Sequence, residues 1–222
     1  MSQITLYNYY RSSTSYRVRI ALHYKNIEFK YHPIHLLNNG GEQHQDSYKK
    51  LNPMAEVPTL DHKGIHLGQS MAILEYLEEF FPNPPLLPKD IHQRAKIRQF
   101  CENINSFLHP ISNLKILQYL EKKHNYTTQE KEEWIHHWYA KGLSALETSL
   151  KQTAKSCSFG DSFTFADCFL IPLVFTCQRF NVALNSYPIL MQINENCQQF
   201  DFIKKSHPLT QIDTPESDRR SL

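Results

Sequence analysis

The sequence predicts an α/β domain with the element order β-α-β-α-β-β-α, followed by a domain made of helices alone. Three observations carry this. Short strand-like and helix-like apolar patterns alternate as far as residue 81, and no later pattern reads as a strand. Four of the six glycines, Gly40, Gly41, Gly64 and Gly68, fall before residue 70. Proline clusters once, in Pro82-Asn83-Pro84-Pro85-Leu86-Leu87-Pro88, a stretch unsuited to helix or central strand. These place a first domain at 1–83, a linker at 84–90 and a helical domain at 91–222.

Residues 4–8 read as a strand, and 16–24 as a short helix opened by the capping candidates Ser12-Ser13-Thr14-Ser15. The second strand is expected at 29–34. A polar loop at 38–41 leads to a short helix near 43–50. Strands at 57–61 and 65–67 flank the hairpin signal His62-Lys63-Gly64. Ile73, Leu74, Leu77 and Phe81 then share one face of a helix over 70–81. Beyond the linker, 91–123, 128–154, 163–180 and 189–199 have helical patterns. Thr164-Phe165-Ala166-Asp167 fits a capping box, which is a folding device. The tail over 208–222 is polar and expected to be loose.

Composition excludes several function classes. The chain has 222 residues, with 24 lysines and arginines against 22 acidic residues and a formal charge of +2. That balance gives no electrostatic basis for a nucleic acid partner. No apolar run is long enough to span a bilayer, and Met1-Ser2-Gln3-Ile4-Thr5-Leu6-Tyr7 lacks a signal-peptide layout. No membrane association and a cytoplasmic location are therefore expected. Cys101, Cys157, Cys168, Cys177 and Cys197 are odd in number and form no C-x-x-C pair, so buried thiols are expected rather than disulfides or a metal site. His136-His137-Trp138 lacks a further ligand at metal spacing. Phe163, Phe165, Phe169 and Phe175 read as core, and Glu130, Glu132 and Glu133 as a solvated first turn.

The segment with chemical content is Tyr10-Arg11-Ser12-Ser13-Thr14-Ser15-Tyr16-Arg17-Val18-Arg19-Ile20-Ala21-Leu22, where a strand feeds a helix through a turn crowded with hydroxyls. The unpaired N–H groups and partial positive charge of a helix start stabilise an anion placed there. The same hydroxyls serve as plain caps, and the pattern alone leans towards capping.

Three separated pieces add to this. They are Ser12-Ser13-Thr14-Ser15-x-Arg17-Val18-Arg19-Ile20-Ala21-Leu22, Leu51-Asn52-Pro53-Met54-x-x-Val57-Pro58-Thr59-Leu60 and Gln69-Ser70-x-Ala72-Ile73-x-Glu75-Tyr76-Leu77. Together they resemble the zeta class of glutathione transferases, which includes maleylacetoacetate and maleylpyruvate isomerases. The likeness continues at Leu86-Leu87-Pro88, Asn113, Gly160-Asp161, Arg179-Phe180, Tyr187-Pro188 and Asp213-Thr214-Pro215, so it covers nearly the whole chain.

The resemblance implies a thioredoxin-like first domain, an all-helical second domain and glutathione as cofactor between them. It implies Ser12 against the glutathione sulfur, with Ser13 second and Thr14 where many members have an auxiliary cysteine. Some maleylpyruvate isomerases share that threonine and also resemble Leu108-His109-Pro110. Gln69 and Ser70 match the positions that take the γ-glutamyl carboxylate, and Val57 with a cis Pro58 those that pair with the cysteinyl backbone. Gln43 matches a glycyl contact; alone it reads as a loop glutamine, as Pro58 alone reads as an edge-strand proline. His109, Asn113 and Lys115 lie about a turn apart on the expected long helix. His109 and Asn113 join the glutathione-binding set, and His109 reads equally well as packing. Arg11 and Arg179 are implied on substrate carboxylates, which arginine grips bidentately.

The implied reaction is cis–trans isomerisation of a conjugated dicarboxylic enedione by thiolate addition, bond rotation and elimination. Maleylacetoacetate is the first substrate and maleylpyruvate the alternative. A transferase or peroxidase acting on halogenated acids or peroxides, and a non-catalytic glutathione-binding protein, are the other readings. A homodimer is implied by the family.

Overall fold

The computed structural model describes residues 3–219; Met1, Ser2 and 220–222, with the outer ends of the expected domains and tail, lie outside the described residues. The chain forms two compact units, one joining Met1–Pro85 to Gln198–Leu222 and the other comprising Leu86–Cys197.

The first unit follows the expected order: β1 (Ile4–Asn8), α1 (Ser13–Tyr24), β2 (Phe29–Pro33), α2 (Asp46–Lys49), β3 (Thr59–His62), β4 (Ile65–Gly68) and α3 (Ser70–Phe80). The strands make one mixed sheet in the order β2-β1-β3-β4, with β1 parallel to β2 and antiparallel to β3. Leu6 and Leu60 from the sheet, Val18, Ile20 and Leu22 from α1, and Ile73, Leu74 and Leu77 from α3 are buried. Three details depart from the sequence reading. Helix α1 starts three residues early because Ser12 caps it. The helix expected near 43–50 divides into a 3₁₀ turn, Glu42–His44, and α2. Val57 and Pro58 precede β3, since proline has no N–H to give a sheet ladder.

In the second unit the helix expected over 91–123 is broken. It becomes α4 (Ile91–Glu102), a wide π turn (Asn103–Leu108), the single turn α5 (His109–Ile111) and α6 (Leu114–His124). Pro110 lacks the N–H that would continue the ladder. Asn113 has left helical geometry (φ −63, ψ 137), and its side chain accepts the Lys115 N–H to start a new helix. The expected spacing of His109, Asn113 and Lys115 along one helix is therefore wrong. Next come α7 (Thr128–Leu150), α8 (Phe165–Arg179) and α9 (Pro188–Cys197). The capping box at Thr164 and Asp167 forms as expected. Helix α9 takes its N-terminal cap from α7: buried Glu147 accepts the N–H groups of Ile189 and Leu190. Phe163, Phe165 and Phe169 are core, while Phe175 is half-buried. None of the five cysteines forms a disulfide, and all are buried. No helix among the described residues is long and apolar enough to cross a membrane.

Gly142 lets α7 approach the π turn. A Cβ there would lie 2.4 Å from Leu108 Cδ2. Gly142→Ala is expected to destabilise by about 1–3 kcal/mol through overpacking, despite alanine's better helix propensity. Urea unfolding checks it, and the loss should shrink in a Leu108→Ala background, where the clashing methyls are gone.

The tail is the larger correction. After α9 the chain returns to the first unit as α10 (Asp201–Ser206), which packs on α1, and continues through 3₁₀ turns at Pro208–Thr210 and Glu216–Asp218. Asp213 accepts the Tyr10 N–H and the Tyr31 hydroxyl. Pro208, Gln211 and Thr214 are buried. Neither a loose tail nor a continuation of the helical domain describes 201–219. Gln211 and Thr214 donate to backbone carbonyls of the returning segment and Asp213 holds Tyr10 and Tyr31, whereas 215–219 are exposed.

The same face holds His23, on α1 against Phe29. Burial, helped by the charges of Arg19 and Lys205, pulls its pKa down to about 4. The unfolded chain takes up this proton first, so His23 contributes stability that is complete above pH ~6.5 and erodes as pH falls towards 4. His23→Gln should flatten that part of the acid loss, read as the difference between wild-type and variant urea midpoints at pH 7 and pH 5.

Candidate active site

The site is built where β1 ends. Buried Asn8, Tyr9 and Tyr10 carry the chain out of the sheet, and the Ser12 N–H donates to the Tyr9 carbonyl at 3.1 Å. Ser12 Oγ accepts the Ser15 N–H at 3.2 Å, the capping bond of α1. The same oxygen lies 2.9 Å from Thr14 Oγ1, and Thr14 Oγ1 donates to the Val57 carbonyl at 3.0 Å. Ser12, Thr14 and Val57 are thus joined in one chain of hydrogen bonds. Ser13 is the first residue of α1, and both Ser13 and Arg11 are half-buried. Burial raises the Tyr9 phenol to about 12, with the Arg11 charge acting the other way.

The Val57–Pro58 bond is cis. Ser70 opens α3 and is 2% exposed, and Arg17 Nη1 donates to its hydroxyl at 3.1 Å. Gln69 takes φ 65 and ψ 112, a conformation few side chains adopt, and its amide donates to Glu56 Oε2 at 3.4 Å. Gln43 is buried beside Gly41, whose φ of 99 and missing side chain make room for the amide. Gln43 Nε2 donates to the Leu36 carbonyl at 3.4 Å, while its Oε1 is shielded from water without a hydrogen-bond partner.

The second unit places its sequence-derived candidates differently. His109 begins α5 and is half-buried. Asn113 is a helix cap, with its Oδ1 given to the Lys115 N–H at 3.1 Å. Arg179 ends α8 with its guanidinium 4.4 Å above the Phe180 ring. His136 Nε2 bonds the Phe180 carbonyl at 2.7 Å, a structural contact. Cys157, Asp167 and Cys197 bring their side-chain ligand atoms within 4.8 Å of one another, all buried. The Asp167 carboxylate already accepts from Ser158 and Thr164, and the neighbouring Cys157 thiol and burial push the Cys197 thiol up, away from the thiolate a metal needs.

Arg17 and Asp213 escaped assignment. Arg17 lies one helical turn beyond Ser13, and its alternation with Arg19 among Val18, Ile20, Ala21 and Leu22 is the available signal. Asp213 belongs to the Asp213-Thr214-Pro215 run of the family likeness, but it lies 203 residues from the backbone it holds, and nothing local gives its role.

The glutathione S-transferase N-terminal domain family matches residues 2–79. The chain is 42% identical to a probable maleylacetoacetate isomerase 2 of Drosophila melanogaster, over 96% of this chain and 91% of that protein. A holo maleylpyruvate isomerase, described as a bacterial zeta-class glutathione-S-transferase, superposes with a TM-score of 0.92 at 38% identity, covering 95% of this chain and all of that one. The maleylacetoacetate isomerase of Anaeromyxobacter dehalogenans, solved with glutathione bound in the active site, has a TM-score of 0.85 at 38% identity, covering 97% of this chain and 100% of that one. With the thioredoxin-like sheet unit, the hydroxyl turn and the Val57–Pro58 loop in place, this chain belongs to the zeta class of glutathione transferases, the family of the maleylacetoacetate and maleylpyruvate isomerases.

Proposed function

We propose that the protein is a glutathione-dependent cis–trans isomerase that converts maleylacetoacetate to fumarylacetoacetate. The observation that carries this is the hydroxyl turn at a helix start, joined through Thr14 to the Val57 carbonyl, in a chain 42% identical to a probable maleylacetoacetate isomerase. Glutathione, when bound, supplies a thiolate that adds to the substrate double bond, permits rotation and leaves.

The residues of the first unit fit that cofactor. Gln43 Oε1, buried and unpartnered, costs about 1–3 kcal/mol that an N–H donor of a bound peptide would recover. Ser70 accepts from the Arg17 guanidinium, which leaves its own proton to give to a carboxylate at the start of α3. Gln69, extended by its unusual backbone, is assigned to the same γ-glutamyl end. The Val57 backbone, ahead of Pro58 and outside the sheet ladder, keeps hydrogen-bonding capacity for a strand-like partner.

Ser12 is assigned as the donor to the sulfur. At the positive end of α1 its hydroxyl favours thiolate over thiol. Ser13 is the second candidate, and Thr14 completes the set. Arg11 and Arg179 are assigned to the substrate carboxylates, where their fixed charge also stabilises the enolate that develops. His109 and Asn113 remain assigned near glutathione, Asn113 through whatever its cap bond leaves free. Maleylpyruvate is the second reading, favoured by Thr14 and by the TM-score of 0.92 to a maleylpyruvate isomerase. We place the enzyme in the cytoplasm, in keeping with five buried cysteines outside any disulfide, and as a homodimer.

The test is an ultraviolet assay of both acids with and without glutathione. Turnover that requires glutathione supports the reading, and the faster substrate decides between the two acids. Glutathione binding without turnover of either acid overturns it in favour of a transferase or binding role.

A further inference from the structure

A hydroxyl carries one proton, and the geometry fixes where two of them point. The Val57 carbonyl only accepts, so the 3.0 Å contact takes the Thr14 proton. The 2.9 Å contact between Ser12 and Thr14 must then take the Ser12 proton. Ser12 Oγ receives the Ser15 N–H besides. In this state Ser12 donates to Thr14, and its proton is turned away from any other acceptor.

We propose that Thr14 is a positioning residue that reverses this chain of hydrogen bonds when glutathione is bound. The inference rests on the proposed glutathione site. Ser12 turns its proton to the sulfur, because a hydrogen bond to an anion is roughly twice as strong as one to a neutral hydroxyl. Thr14 then turns its own proton from Val57 to the Ser12 oxygen. Val57, relieved of Thr14, keeps its carbonyl for the cysteinyl N–H. No polar group is orphaned at either end of the change. Ser12, now accepting from both Thr14 and the Ser15 N–H, becomes a stronger donor to the thiolate. No bond to a heavy atom forms or breaks; two hydroxyl protons rotate.

Cysteine at position 14 cannot fill this role equally, since a thiol is a weak donor and weak acceptor. Threonine is a specific choice here.

The experiment compares wild type, Thr14→Val and Thr14→Ser, reading the pKa of bound glutathione from thiolate absorbance against pH. Affinity for S-methylglutathione, which has no ionisable sulfur, is measured alongside. Thr14→Val should raise the bound thiol's pKa by about half to one unit, equivalent to one modest hydrogen bond. Thr14→Ser should restore it, and S-methylglutathione should bind all three within twofold. An unchanged or lowered pKa in Thr14→Val overturns the proposal while leaving glutathione at the site. Loss of S-methylglutathione binding in Thr14→Val overturns it as well, since Thr14 would then merely shape the site. Failure of wild type to bind either ligand overturns the glutathione reading and this one with it.

Discussion

Ser12→Ala is expected to lower kcat about 10²–10³-fold at saturating glutathione, the usual cost of losing one well-placed donor to a reacting anion. The structure gives Ser12 two duties, and the prediction has to separate them. Its oxygen caps α1 by accepting the Ser15 N–H, and its proton is the one assigned to the sulfur. Loss of the cap alone costs about 1 kcal/mol of stability, whereas glycine at a cap position costs only a few tenths. Ser12→Gly should therefore be nearly as stable as wild type by urea unfolding and as inactive as Ser12→Ala. Turnover within threefold of wild type in either variant, with glutathione still bound, would remove Ser12 from the chemistry and make Ser13 the candidate.

Arg19→Met should lose about 3–5 kcal/mol of stability, because it takes the donor from several buried oxygen acceptors at once. The side chain is fully buried. Nε donates to the Ser206 carbonyl at 3.0 Å, Nη1 to Asn8 Oδ1 at 3.0 Å and Nη2 to the Tyr10 carbonyl at 2.9 Å. Those acceptors are a polar core side chain, the backbone leading to the Ser12 turn and the returning tail. Methionine fills similar space but leaves each of them without its donor, and a buried acceptor without a partner costs about 1–3 kcal/mol. Burial pulls the Arg19 pKa down, yet an arginine keeps its charge, so several oxygen acceptors are what make the site tolerable. Arg19→Lys retains the charge and loses the fork, and should fall between the two. A urea midpoint for Arg19→Met within 1 kcal/mol of wild type would contradict this account. If Arg19→Met does not fold, the Arg19→Lys loss alone carries the test.

Arg19 also marks the limit of sequence reading. On a helix pattern it reads as a surface or pairing residue, and its partners are invisible because all lie outside its own helix: Asn8 and Tyr10 on the segment before it, and Ser206 in the tail, 187 positions away. The element order of the first unit was legible because strand and helix periods are local properties of adjacent side chains. So was the capping box at Thr164, which closes within four residues. The break at 103–113 was carried by Pro110 and Asn113, a proline and a capping amide in one stretch, and the apolar period on either side outweighed them. Phe175, six residues beyond Phe169 and so on another face of α8, is half-buried, because what covers that face is decided by neighbours distant in the chain.

The Ser12 turn, the Val57-Pro58 pair and Gln69-Ser70 were legible as motifs, since each is a run of adjacent residues. That they share hydrogen bonds was not. Thr14 touches Val57 across 43 positions and Arg17 touches Ser70 across 53, contacts that exist only once α1 lies against the sheet and α3.

By itself, then, the sequence determined which elements form, where the first cap stands and which short motifs carry chemistry. Only the tertiary structure decided that the tail belongs to the first unit, that Arg17 holds Ser70 and that the Ser12 proton points at Thr14. The reason is physical: periodicity and capping are settled between neighbours in the chain, whereas the partner of a buried polar group is whichever acceptor the packing brings within about 3 Å.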